Sequence, residues 1–310
     1  MQETADTTNP NDPRRRWESL KTYLIVAACA VFFCSKGVFI KSAYGVGADP
    51  ISLLALRMAY ALPFFAVAGW WSSRGNARLN RRQWISILWL GFVGYYLSAV
   101  VNFAGLQFIS VGLERMVLYT YPSLVLLGSV VFLRKRVPMQ MVAAMLIAYL
   151  GIVVAFQGEA VEGGDTRLTL LGVGLVFTSA ITYAVFVVGS GTLLTELGAT
   201  RFTSHVVGAS CLFVLAHFCL QEIFAETAPI PLAVHGWAVM LALFGTVVPS
   251  FLLGIGLKRA GAQRFAIIGT VGPLATVLLA WLVLGEALNW LQIAGFFLTM
   301  GGGLLVSLWK

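Results

Sequence analysis

Apolar runs of about twenty residues follow one another along this chain, separated by short polar breaks. They fall at about 22–42, 50–71, 84–106, 111–133, 138–157, 168–190, 202–221, 235–257, 262–284 and 289–309. Within a run the apolar positions do not keep to one stripe, as they would in a helix with a wet face. A hydrocarbon layer of ~30 Å demands about twenty such residues of each crossing helix. The pattern therefore predicts an all-α membrane protein with ten transmembrane helices.

Composition strengthens that reading. The chain is 59% hydrophobic and 11% charged, against roughly 25% charged in a soluble domain. A net charge of +8 would suggest nucleic acid if the basic residues formed one patch, but they sort by side. Ten spans put both termini together. With the termini in the cytoplasm, sixteen Lys and Arg lie in cytoplasmic tails and loops, and only Lys41 and Arg167 lie opposite. That bias follows the positive-inside rule. It predicts a multi-pass protein of the cell (inner) membrane with cytoplasmic termini. The expected partners are the lipid bilayer and a small-molecule substrate, with no nucleic acid, and the expected state is a monomer. Cys29, Cys34, Cys211 and Cys219 lie inside apolar runs without metal spacing. No His-Glu-x-x-His run, Gly-x-Ser-x-Gly elbow or paired Asp is present, so neither enzyme activity nor a cofactor or metal is expected.

The chain also repeats itself. At a shift of 151 positions, Gly105-Leu106 meets Gly256-Leu257, Pro122 meets Pro273 and Gly151 meets Gly302. At a shift of 150 the first two runs fall on the sixth and seventh. Gly and Pro set backbone geometry, so their coincidence at one offset carries more weight than apolar identities. The expected organisation is a tail over 1–21, a first repeat over 22–157 and a second over 168–310. Five spans per repeat is odd, so the second repeat is predicted to run inverted, an arrangement used by secondary transporters. Pro122 and Pro273 are the predicted matched helix kinks.

"GLKRAGAQRFAIIGTVGPLATVLLAWLVLGEALNWLQIAGFFLTMGGGLL" (256–305), with "FCSKGVFIK" (33–41), "LLALRMAYALPF" (53–64) and "GLQFISVGLERMVLYTYP" (105–122), resembles the EamA-type branch of the drug/metabolite transporter superfamily. The resemblance covers roughly residues 22–309. It implies ten helices, two EamA repeats and movement of small organic molecules, commonly export of amino acids or related metabolites. The chain departs from the family pattern at Phe33-Cys34, where Trp-Gly is usual, and at Lys36, where a small polar residue is usual. It departs again at Glu114-Arg115 and at Arg134-Lys135.

Four strong charges fall within predicted spans: Lys36, Arg57, Glu114 and Arg115. All four come out in the outer third of the membrane at ~1.5 Å per residue. They define the predicted substrate pocket, with Tyr119 and Tyr121 as candidate lining residues. Arg115 and Lys36 have a second reading, as residues snorkelling to the headgroups. Neighbours on a helix point ~100° apart, so Glu114 is expected to pair with Lys36 or Arg57 rather than with Arg115. Asn102, Gln107, Thr178, Thr182, Tyr183, His205 and Thr270 are weaker candidates, commonly bonded within a bundle. Glu286 is expected to cap the outer end of the ninth helix. Ala144, Ala148 and Gly151 are expected to pack on Gly295, Thr299 and Gly303 within the chain.

Three cations against one carboxylate suit a solute bearing a carboxylate, and Glu114 is available in this reading to an ammonium. The predicted function is export of small amphipathic metabolites such as amino acids, by alternating access around a central pocket. A proton-coupled multidrug exporter of lipophilic cations is the alternative, drawn to Glu114 and the tyrosines.

Overall fold

The computed structural model describes residues 13–133, 139–161, 165–224, 229–269, 271–286 and 288–308. Every regular element among them is helical. The chain runs α1 (Pro13–Gly45), α2 (Pro50–Ser73), α3 (Arg81–Leu90), α4 (Ser98–Gly105), α5 (Val111–Leu118), α6 (Tyr121–Leu133) and α7 (Met139–Val161). It continues through α8 (Thr166–Leu197), α9 (Ala199–Phe224), α10 (Leu232–Ala242), α11 (Val248–Gly269), α12 (Val271–Leu279) and α13 (Trp290–Leu308). Three π-helical stretches complete the path: Gly91–Leu97 joins α3 to α4, Leu243–Val247 joins α10 to α11, and Ala280–Leu284 extends α12.

Among the described residues, seven helical stretches are long and apolar enough to cross a membrane, and Val271–Leu284 and Trp290–Leu305 are shorter apolar helices. The outer surface carries large apolar side chains, including Trp70, Trp71, Leu146, Leu150 and Leu282. An apolar surface of that extent marks a lipid-facing wall. The loops are set by local chemistry. Asp49 caps α2 by accepting from the Ile51 and Ser52 amides at 3.0 and 2.9 Å. Pro50 sits at the first position of that helix, where its missing N–H costs nothing. Asn80 and Gln83 close a capping box on α3.

Two boundaries differ from the pattern-based expectation. The fourth predicted span is broken into α5 and α6 at Tyr119–Thr120, and Pro122 stands in the first turn of α6. In the second half Pro273 lies in α12, two residues after Val271. A proline's absent donor falls among the first four N–H groups of a helix, which lack intrahelical acceptors anyway. Pro122 thus stands at a helix start. The predicted break between the eighth and ninth spans lies inside continuous α11 instead; Lys258, Arg259, Ala260, Ala262, Gln263 and Arg264 are good helix formers.

α7 and α13 form one tight pair, and α1 packs on α11, α12 and α10. α8 packs on α4, α6 and the first π stretch, while α2 packs on α9 and α10. Gly151, Gly295 and Gly302 bring α7 and α13 into backbone contact, as a Cβ on any of them would run into backbone of the opposite helix. The small residues are therefore used within the chain, with one change: Gly302 fills the seam, and Gly303 faces Tyr119.

Candidate functional site

α5 carries Glu114 and Arg115 on its first turns, and the structure pairs these neighbours. Arg115 Nη2 donates to Glu114 Oε1 at 3.2 Å, and Arg115 Nε lies 2.7 Å from Glu114 Oε2. This corrects the expectation that residues ~100° apart avoid each other. The guanidinium stem is long enough to fold back across that angle, and burial favours charge contact over ideal direction. Glu114 is fully buried, and its Oε2 has no hydrogen-bond partner despite the ion contact. Lys36 is reached through an amide: Lys36 Nζ donates to Asn102 Oδ1 at 2.8 Å, and Asn102 Nδ2 donates to Glu114 Oε1 at 2.9 Å. Gly37 makes room for this relay, because a Cβ there would stand 2.9 Å from Val111 Cγ1 and 3.6 Å from Glu114 Oε2.

Arg57 stands apart from that chain of contacts. It is only 7% exposed, yet no carboxylate contacts it among the described residues. Its Nε donates to Thr246 Oγ1 at 2.8 Å, and its guanidinium carbon lies 5.6 Å from the centre of the Phe103 ring. Thr246 belongs to the π stretch Leu243–Val247 and donates to Leu241 O at 3.2 Å. The widened turn lets its oxygen face α2, a common use of π geometry at functional sites. Gly245, the preceding residue, abuts Lys36: a Cβ added there would lie 3.8 Å from Lys36 Cβ. Lys36 and Arg57 are thereby set against consecutive residues of one turn.

The tyrosines divide. Tyr119 caps the end of α5, its N–H donating to Arg115 O at 3.0 Å, and its ring lies against Gly303 of α13. Tyr121 is 38% exposed and meets Tyr183 edge-on at 5.6 Å. Tyr183 continues to Phe186, which meets Tyr95 at 5.2 Å. Tyr121 therefore starts an aromatic row rather than joining the charged group. Pro122 stands at the helix start that follows α5. Asn102, a weaker candidate from sequence, proves central. Thr246 was missed, although the shift of 151 that aligns the halves places it opposite Tyr95 and would have singled it out. The histidines have ordinary partners: His205 with Arg201 O, His217 with Tyr96 and His235 with Tyr60.

A second polar group closes the start of α5. Glu159 accepts from Ser110 N and Ser110 Oγ, both at 2.6 Å, and from Gln292 Nε2 at 3.1 Å. Glu286 accepts from Val111 N at 2.9 Å. The ninth helix is closed instead by Gly285, whose φ of 70° is the left-handed conformation that glycine adopts freely. Glu286 thus caps α5, correcting the expected cap. Burial pushes the Glu286 carboxyl above its ordinary range and Glu159 adds to that, against Lys41 and the Val111 and Gly112 amides, which draw it down. Away from both groups, an apolar groove lined by Pro63, Phe64, Val67, Trp71, Thr200 and Phe251 opens on the far half of α2. It holds no charged residue.

Fold and site together define a polytopic membrane protein with a charged interior. The chain belongs to the EamA-like transporter family, whose model matches residues 20–157 and again 170–308. The uncharacterized transporter YcbK of Bacillus subtilis is 29% identical over 87% of this chain and 89% of its own. An uncharacterized transporter of Archaeoglobus fulgidus is 25% identical, covering 91% and 97% of the two chains. One of Synechocystis is 26% identical, covering 89% and 90%. A crystal structure with TM-score 0.63 and 18% identity, covering 92% of this chain and 96% of the other, shares the fold. These relatives point to a transporter rather than an enzyme.

Proposed function

We propose that this protein is a secondary transporter that exports small amphipathic metabolites, amino acids among them, by alternating access around Lys36, Arg57, Glu114 and Arg115. It sits in the cell membrane with both termini cytoplasmic. Its frame is ten spans in two inverted five-helix repeats, with α5 and α6 as the fourth span and the end of α11 with α12 as the ninth. The packing pattern supports this frame, because exchanging the halves preserves its main helix pairs. α1 on the Leu243–Val247 stretch and α11 answers α8 on the Gly91–Leu97 stretch and α4; α1 on α10 answers α8 on α3; α1 on α12 answers α8 on α6; α2 with α9 and α7 with α13 are their own counterparts. Secondary transporters built this way bind solute at the interface of the repeats.

The observation that carries the reading is four charges buried together where the helices of both halves meet. Intramembrane charges are costly, and they usually face a solute pathway. The excess of cations speaks against the lipophilic-cation exporter, since a cationic solute would meet like charge. Counterflow in proteoliposomes tests the reading with a labelled mixture of amino acids, small carboxylates and tetraphenylphosphonium. Exchange above that of protein-free liposomes is expected, with Glu114→Gln slowing it at least several-fold. Absence of exchange for every class sinks it.

A further inference from the structure

We infer that the Arg57 guanidinium, presented by the Leu243–Val247 turn, is an anion receptor, and that the transported solute is a carboxylic acid of net negative charge. The inference rests on the transport reading above and narrows its solute class.

Two facts separate Arg57 from the other charges. Glu114 is occupied: one oxygen accepts from Asn102 and Arg115, the other lies against Arg115, and no surface of the residue is exposed. Arg57 is the reverse case. Thr246 holds its Nε, Phe103 covers it, and its two terminal amino groups make no hydrogen bond with the described residues. A guanidinium anchored through Nε presents its Nη groups in the fork geometry that a carboxylate matches with two parallel bonds. A buried cation lacking a counter-charge costs several kcal/mol, and a ligand carboxylate supplies what the protein omits. Lys36, set against the adjacent Gly245, adds a second positive charge whose hydrogen-bond partner among the described residues is the neutral Asn102 amide.

The charge balance then selects among amphipathic solutes. Three cations and one carboxylate leave two positive charges, and the carboxylate is already paired within the protein. A neutral zwitterion would bring an ammonium for which no free carboxylate waits. An acidic amino acid or a simple di- or monocarboxylate brings surplus negative charge and fits. The aromatic row from Tyr121 to Tyr95 offers apolar surface to the rest of such a solute.

The test uses the full chain, purified in detergent and reconstituted. Labelled glutamate and succinate are compared with leucine and tetraphenylphosphonium in counterflow, for wild type, Arg57→Gln and Arg57→Lys. Thermal stabilisation by 10 mM-scale glutamate or succinate, expected at about 2 °C or more for a site near saturation, reads binding independently of transport. The expected result is exchange of the two acids only, reduced at least tenfold by Arg57→Gln and partly restored by Arg57→Lys, with stabilisation lost in the Gln variant. Unchanged melting without ligand shows that the Gln variant is folded; if it does not fold, the Lys variant carries the test through its weakened stabilisation by acid. Exchange of leucine or tetraphenylphosphonium but not of acids overturns the anion assignment and leaves transport standing. Stabilisation by acids without exchange of any solute keeps the anion site and overturns transport. Acid exchange at the wild-type rate in Arg57→Gln removes Arg57 from the site.

Discussion

The π stretch Gly91–Leu97 of the first half and Leu243–Val247 of the second are the same backbone device carrying opposite chemistry. At the shift of 151, Gly94 answers Gly245 and Tyr95 answers Thr246; at the shift of 150, Lys36 answers Phe186 and Arg57 answers Val207. In the first half Gly94 lies against Phe186, and Tyr95 meets that ring edge-on. In the second half Gly245 lies against Lys36, and Thr246 holds Arg57. One copy is a packed aromatic contact, the other a pair of cations. The glycines and widened turns recur in both halves, and the side chains around them differ.

The comparison can be broken at several points. The largest effect is expected from Arg115→Leu, which strands Glu114 without its cation. Loss of one partner of a buried pair costs about 3–5 kcal/mol, so the melting temperature in detergent should fall steeply. The double change Glu114→Gln with Arg115→Leu should recover much of the loss. Gly94→Ala comes next: its Cβ would overlap the Cβ and Cγ of Phe186, and overpacking of this kind costs about 1–3 kcal/mol. Gly245→Ala should be milder, because the nearest atom, Leu241 Cδ1 at 3.0 Å, ends a flexible side chain. Equal melting losses at the two glycines would refute the asymmetry.

Thr246→Val removes the acceptor of Arg57 Nε and should cost about 1–3 kcal/mol, together with slower exchange of acids. Tyr95→Phe at the answering position should change melting by less than about 0.5 kcal/mol. The smallest effect concerns pH at Glu286, which lies outside the helices. Its carboxyl is raised by burial, so the folded state binds its proton more tightly than the unfolded state does. That contribution to stability is complete below the ordinary carboxylate range and is lost as pH rises through the raised value. Glu286→Gln should flatten the melting-versus-pH curve in this window. A curve as steep as wild type would assign the slope to another group.

Hydropathy reads this fold well because oil imposes one rule on every crossing segment. The apolar runs at 22–42, 50–71, 168–190 and 202–221 all lie within described helices of crossing length. The split of α5 from α6 was harder to read, as it depends on two residues, Tyr119 and Thr120, ahead of a proline. Sequence also singled out the four charges, since a charge in an apolar run is conspicuous. Their partners were hidden. Helical-wheel geometry argued against Glu114–Arg115, because it describes where Cβ points and not how far a guanidinium reaches. Asn102 and Thr246 are common polar residues whose importance comes only from what another helix brings beside them.

The α7–α13 contact has a mechanical consequence. Where Gly151, Gly295 and Gly302 meet the opposite backbone, turning either helix by one residue (~100°) would bring bulky neighbours such as Leu150 or Phe296 onto main-chain atoms. The pair therefore resists rotation of either helix about its own axis, as a keyed shaft does. A bulky residue at Gly295 would force α7 and α13 apart while leaving Lys36, Arg57 and Glu114 with their own partners.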